Sequence, residues 1–268
     1  MFLTAANCRK LWPVIGALLI SLNGCGSADH TVLQEISEKV YTVEPDASIS
    51  IHNRDGAILV YGSNTNEVRV QSLKKAYSQE RLNQIAIDVS ARPDAVSVTA
   101  KFPPPRNWAF SDRSGTVDFT IVVPATARIS ALDLNTGEVL LDSLRGREVH
   151  ARLGDGRLFA RNCFANMDLT MNRGTLTASY DWWEKQPFSV AVELGRANAW
   201  PFFPSDAAFH LRAQAAHGRI ANNFSDVPLL PNSSELGMTI NQIINGGSSA
   251  TIQIRVDKGD IKIAEANP

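Results

Sequence analysis

Six glycines constrain this chain more than any other feature of it. Fixed offsets from Gly137, Gly156, Gly174, Gly195, Gly218 and Gly259 select apolar residues each time. Three residues before them stand Leu134, Leu153, Met171, Val192, Ala215 and Val256, and five before stand Leu132, Ala151, Leu169, Val190, Ala213 and Ile254. Two after come Val139, Leu158, Leu176, Ala197, Ile220 and Ile261, and four after come Leu141, Ala160, Ala178, Ala199, Asn222 and Ile263, with Asn222 the one polar exception. Odd offsets before the glycine and even ones after it are what a strand, tight turn, strand unit requires, because alternate side chains of a strand share a face. Glycine at the turn supplies the positive φ that other residues resist. The first five glycines lie 19, 18, 21 and 23 residues apart, so the unit is about 20 residues long. Gly237 suits the spacing, but its offsets give Ser234, Asn232, Thr239 and Asn241, so residues 225–249 read as an insertion or irregular loop.

One such unit cannot bury its apolar face alone, so neighbours must stack. The predicted fold class is all-β: a β-solenoid or β-helix-like stack of strand-turn-strand repeats, with an ordinary antiparallel meander as the competing arrangement. Residues 47–75 hold a partial upstream copy, in which Asp55-Gly56 turns between Ile49/Ile51 and Ile58/Val60 while Asn53 interrupts the inward pattern. Alternation predicts further strands over 84–91, 95–102 and 116–123. The helix candidate is 78–85, and 103–114 reads as a proline-led surface loop. Pro124 marks a soft boundary between an N-terminal β block, 43–124, and the β-repeat block, 125–268, of the same domain.

Residues 1–24 have the three-part form of an export signal. Arg9 and Lys10 supply its charge, and residues 11–22 (LWPVIGALLISL) supply an apolar run shorter than the roughly 20 residues of a membrane-spanning helix. Leu22-Asn23-Gly24-Cys25 then resembles the bacterial lipobox, which directs lipid attachment to Cys25 and cleavage before it. Asn23 is bulkier and more polar than is usual there. Residues 25–42 would be the lipidated cysteine and its tether, so the expected partner is a membrane, reached through acyl chains. Each buried methylene adds about 0.8 kcal/mol, so several chains anchor durably. Gly26, where an Asp would signal inner-membrane retention, leans towards the outer membrane of the cell envelope.

The whole chain carries 26 basic and 27 acidic residues. Loss of the leader removes only Arg9 and Lys10, leaving a net charge of -3. That balance gives no basis for non-specific nucleic-acid binding, which rests on neutralising many phosphates. Of three cysteines, Cys8 falls in the leader and Cys25 at the cut, so Cys163 is left without an internal disulfide partner and reads as a small core residue.

The segments SISIHNRDGAILVYG, NEVRVQSLKK, AVSVTAKF, SGTVDFTIVVP, LDLNTGEVLLDSL, GDGRLFA and GDIKIAE follow one another in an order that resembles the bacterial "putative adhesin" domain family. Its relatives include the β-helical heads of auto-transporter adhesins. The resemblance spans residues 43–264 and implies a fold rather than an activity, since the family carries no established catalytic residues. The aromatic stretch at 180–203 and the 225–249 segment depart from the pattern.

Motifs for phosphate loops, zinc proteases and paired-cysteine metal sites are absent. No catalytic residue, metal ligand or cofactor is assigned, and Asp55, Asp155 and Asp260 read as turn residues beside glycine. Two surfaces are candidates for binding an envelope protein or an anionic glycan. One is basic: Arg157, Arg196 and Arg219 follow their turn glycines, and Arg173 precedes its own. The other is aromatic: Tyr180, Trp182, Trp183, Trp200, Phe202 and Phe203 would either form a stacking platform for sugars or cover an open edge. The resulting expectation is a non-enzymatic interaction or structural module, with a polysaccharide-binding or polysaccharide-degrading β-helix protein as the alternative.

Overall fold

In the computed structural model, which describes residues 32–104, 115–224, 232–234, 237–247 and 249–266, every residue picked out by the four glycine offsets is buried except Asn222. The two sets of offsets differ by an odd number of residues, so a straight strand would send them to opposite faces. Both sets nevertheless belong to one hydrophobic core. Each strand therefore turns over at its bend and covers the same core from two sides. The leader and Cys25 lie outside the described residues.

Among the described residues the fold is all-β apart from one short helix. In order it forms β1 (Leu33–Thr42), β2 (Ser48–Ser63), β3 (Glu67–Ala76), α1 (Gln79–Gln84), β4 (Ala86–Arg92), β5 (Ala95–Lys101), β6 (Thr116–Pro124), β7 (Arg128–Asp142), β8 (Val149–Arg161) and β9 (Met167–Ser179). There follow β10 (Phe188–Phe203), β11 (Phe209–His217), β12 (Ile220–Asn223), β13 (Asn232–Ser234), β14 (Gly237–Ile244), β15 (Ala250–Lys258) and β16 (Ile261–Glu265). The helix stands where the sequence placed it, with the Ser78 hydroxyl accepting from the Arg81 N–H to cap its first turn.

All sixteen described strands join one mixed sheet, ordered β1-β3-β6-β2-β7-β8-β9-β10-β15-β11-β14-β13 along its main path. The long strands β2, β7, β8, β9 and β10 are parallel neighbours. Their two halves part company at the ends of this run. The first half of β2 pairs with β5 and its second half with β6, while β10 pairs first with β15 and then with β16. That division is how one sheet supplies both walls of the core.

Gly56, Gly137, Gly156 and Gly174 lie directly side by side at the bend, with φ between 126° and 143°. A Cβ on any of the last three would fall on the carbonyl oxygen of the preceding glycine, far inside van der Waals contact. Hydrogen-bonded neighbours can approach this closely while their chains turn over only if no side chain intervenes. Asn53, the interruption in the first unit, does point inward. Its amide donates to the Val117 carbonyl at 2.7 Å and its oxygen accepts from the Arg54 N–H at 2.9 Å, which offsets the cost of burying it.

Three expectations are revised. Gly195 is not at the bend: Ala197 pairs with Gly174 there, and Gly195 falls two residues earlier, opposite Asn172. A shift of two preserves alternation, which is why the offsets around Gly195 still select buried residues. The last unit is also out of order in space, because β15 lies between β10 and β11, and β16 between β10 and β12. Finally, the 225–249 stretch contains β14, which pairs regularly with β11 in the antiparallel sense. It failed the offset test because it reverses direction instead of adding another bent strand.

Candidate ligand surface

Residues flanking the bend project outward, and register sorts them into rows. Immediately before it the row runs Asp55, Thr136, Asp155, Arg173, Arg196, Lys258 and His217 across seven adjoining strands. Immediately after it stand Ala57, Glu138, Arg157, Thr175 and Asn198. Asp260 and Arg219 continue this second row: the Asp260 N–H donates to Asn198 Oδ1 at 2.9 Å, and the Arg219 N–H to Asp260 Oδ1 at 2.8 Å.

The expected arginine column is thus divided. Arg157 and Arg219 share the row after the bend, but Thr175, Asn198 and Asp260 separate them. Arg196 moves to the row before the bend and lies beside Arg173, as a consequence of Ala197 replacing Gly195 at the turn. Arg173, Arg196, Lys258 and His217 then form an unbroken run of four exposed basic side chains. At the usual strand separation of about 4.8 Å the run is roughly 14 Å long. Lys258 escaped the sequence reading because its place beside Arg196 depends on β15 entering between β10 and β11.

Arg173 makes a two-pronged contact with Asp155, at 2.8 and 2.6 Å, and this hydrogen bonding holds the Asp155 carboxyl below its ordinary range. Arg157 contacts Glu138 at 2.8 Å, and His217 lies 3.3 Å from Asp257. Among the described residues neither Arg196 nor Lys258 has an ion-pair partner. An open groove of about 410 Å³ borders this run, lined by Asn172, Glu193, Gly195, Gln214, Arg255 and Asp257 among others. The missing side chain of Gly195 leaves room between Asn172 and Asp257. The groove therefore presents amides, both signs of charge and an exposed backbone beside the cationic run.

The aromatic residues do not assemble into one platform. Trp183 packs with Tyr180, Phe188, Phe203 and Phe209, at ring separations of 5.4–6.1 Å, and so belongs to the cluster that closes this part of the core. Trp182 is 44% exposed and donates from Nε1 to Glu184 at 3.1 Å. Trp200 is 42% exposed and lies on the outer face of β10, opposite Thr177. Alternation along β10 turns Trp200 outward and Phe203 inward, so the two cannot share a surface. Phe202 faces outward and is half-buried.

Among the described residues, both groups with large pKa displacements are interior. Burial pushes the Cys163 thiol up to about 12, keeping it protonated and unreactive at neutral pH, and burial likewise pushes the Tyr180 phenol upward. Neither lines the groove.

No protein-family model matches this sequence, and no curated protein matches it. Among solved structures, a "putative cell adhesion protein" from Clostridium sporogenes is similar at 14% identity and a TM-score of 0.54, over 87% of this chain and all of the other. That likeness establishes a shared fold. Two proteins described as putative adhesins, from Bacteroides fragilis and Parabacteroides merdae, each align at 10% identity over 87% of this chain and 97% of their own, with TM-scores of 0.30 and 0.31.

Proposed function

We propose that this chain is a lipid-anchored, non-enzymatic protein of the cell envelope, built on an adhesin-like domain that binds a linear anionic polymer along the bend. The location rests on the leader and its Leu22-Asn23-Gly24-Cys25 ending, with Gly26 favouring the outer membrane. The relationship to the "putative adhesin" family rests on the ordered segments quoted above, and the Clostridium protein of the same fold is described as a "putative cell adhesion protein". We read the parallel bent strands as rungs of a solenoid-like stack, an architecture that suits long, repetitive ligands.

The observation that carries the binding reading is the run Arg173, Arg196, Lys258 and His217 beside the open groove. Guanidinium forks match carboxylate and phosphate groups, and adjacent strands repeat the cation at the strand separation of about 4.8 Å. Two substitutions, Arg196→Gln with Lys258→Gln, should weaken binding of the mature protein to anionic envelope glycans roughly two- to thirtyfold at low salt, with each exposed charge contributing about 0.2–1 kcal/mol. The difference should shrink as salt rises. Arg157→Gln with Arg219→Gln, in the other row, is the control and should change binding little. Equal losses in both double variants, or none in the first, would remove the run from the account.

The anchor has its own test. Cys25→Ala should abolish incorporation of labelled palmitate and leave uncleaved or released protein. Undiminished labelling of the variant would overturn lipid attachment at this residue.

A further inference from the structure

We propose that β1 is the contact through which two copies of this chain pair, edge to edge and antiparallel, about a twofold axis at Ile36. This strand stands at one end of the sheet, and among the described residues it is paired with β3 alone. Its second edge offers a ladder of backbone donors and acceptors ten residues long. Edge strands of this kind are usually blunted by being short or by carrying polar outward side chains. At other edges of the sheet β13 has three residues, and β4 exposes Ala86, Asp88, Ser90 and Arg92. The outward face of β1 and the residue before it differs in carrying large apolar side chains that alternate with Gln34 and Glu38: Val32, Ile36 and Val40 are 41%, 66% and 47% exposed. Their spacing of four puts all three on one face.

What identifies the occupant is that this spacing is symmetric. With Ile36 opposite Ile36 of a second copy, Val32 meets Val40 and Val40 meets Val32, so each outward apolar residue is matched. The remaining pairs are Leu33 with Lys39, Gln34 with Glu38 and Glu35 with Ser37, none of them like-charged. Moving the axis to Ser37 would set Ile36 against Glu38, and moving it to Glu38 would set two glutamates together. A twofold contact needs a patch complementary to itself, and only the Ile36 axis satisfies this sequence on both counts.

Cysteine cross-linking of the full-length protein in isolated membranes tests both the contact and its register. Ile36→Cys should give a disulfide-linked dimer on mild oxidation, and Gln71→Cys, one strand inward on β3, should not. Val32→Cys and Val40→Cys should each stay monomeric when expressed alone, since like positions are about 27 Å apart at eight residues of strand rise. Expressed together they should cross-link to one another. Adding Glu38→Lys with Gln34→Lys to Ile36→Cys should cut its dimer yield at least tenfold, by placing lysines opposite each other. Equal yields from Ile36→Cys and Gln71→Cys would indicate random collision and overturn the proposal. So would an Ile36→Cys protein that remains monomeric, the result if another segment of this chain covers the edge.

Discussion

Leu153→Asp should unfold this protein or drive it into aggregates, whereas Arg152→Asp should leave it folded. Leu153 is 2% exposed and lies in the core-facing set before the Gly156 bend, between Leu134 of β7 and Met171 of β9. A carboxylate there has no cation to meet, and burying it without one costs on the order of 4 kcal/mol or more. Domains of this size hold only about 5–15 kcal/mol in total. Arg152, one position away, faces solvent opposite Asp133 and Thr170. Its replacement adds a like charge beside Asp133 and should cost no more than about 1 kcal/mol. Urea denaturation reads the difference directly. Alkylation of Cys163 at pH 8 gives a second readout: its thiol is 1% exposed and held protonated while the core is intact, and should label rapidly once it opens. Equal stability of the two variants would mean that the inward register is misassigned.

Gly156→Ala should be nearly as damaging, though it adds only a methyl group. Gly156 has φ of 143° and lies between Gly137 and Gly174. The new Cβ would occupy the space of the Gly137 carbonyl oxygen, so β7 and β8 would have to separate where they are hydrogen-bonded. The unfavourable φ alone costs about 1–2 kcal/mol, and the lost ladder bonds and core gap add to it. Gly246→Ala separates these contributions, because φ there is 68° and nothing lies within 4 Å of the added carbon. That variant should lose only the conformational part, about 1–2 kcal/mol. Unfolding midpoints for the two proteins test this, and similar values would show that close approach at the bend is not what requires glycine.

The two substitutions probe different levels of information. The inward residues were legible without any structure, because burial on alternate positions leaves a period that survives in the sequence, and the parity change across each glycine already implies that the strand turns over. Asn53 was legible as an interruption, while its hydrogen bond to Val117 was not, since that partner lies 64 residues away. Gly195 shows the limit of periodicity. A slip of two residues conserves every inward assignment, so only pairing with β9 reveals that Ala197 occupies the bend. Strand order is invisible for a related reason. Each bent unit offers the same alternating edge, so the offset pattern is equally satisfied whichever neighbour it meets. The insertion of β15 between β10 and β11 is a property of three-dimensional packing. The surface depends on both: which cations stand together is set by register and order, and therefore Arg196 with Lys258 could be recognised only once the strands had been placed. The sequence by itself determined which side chains make the core, because burial is a local alternation. Tertiary structure alone decided which outward side chains become neighbours, because adjacency between strands is set by hydrogen bonding between distant parts of the chain.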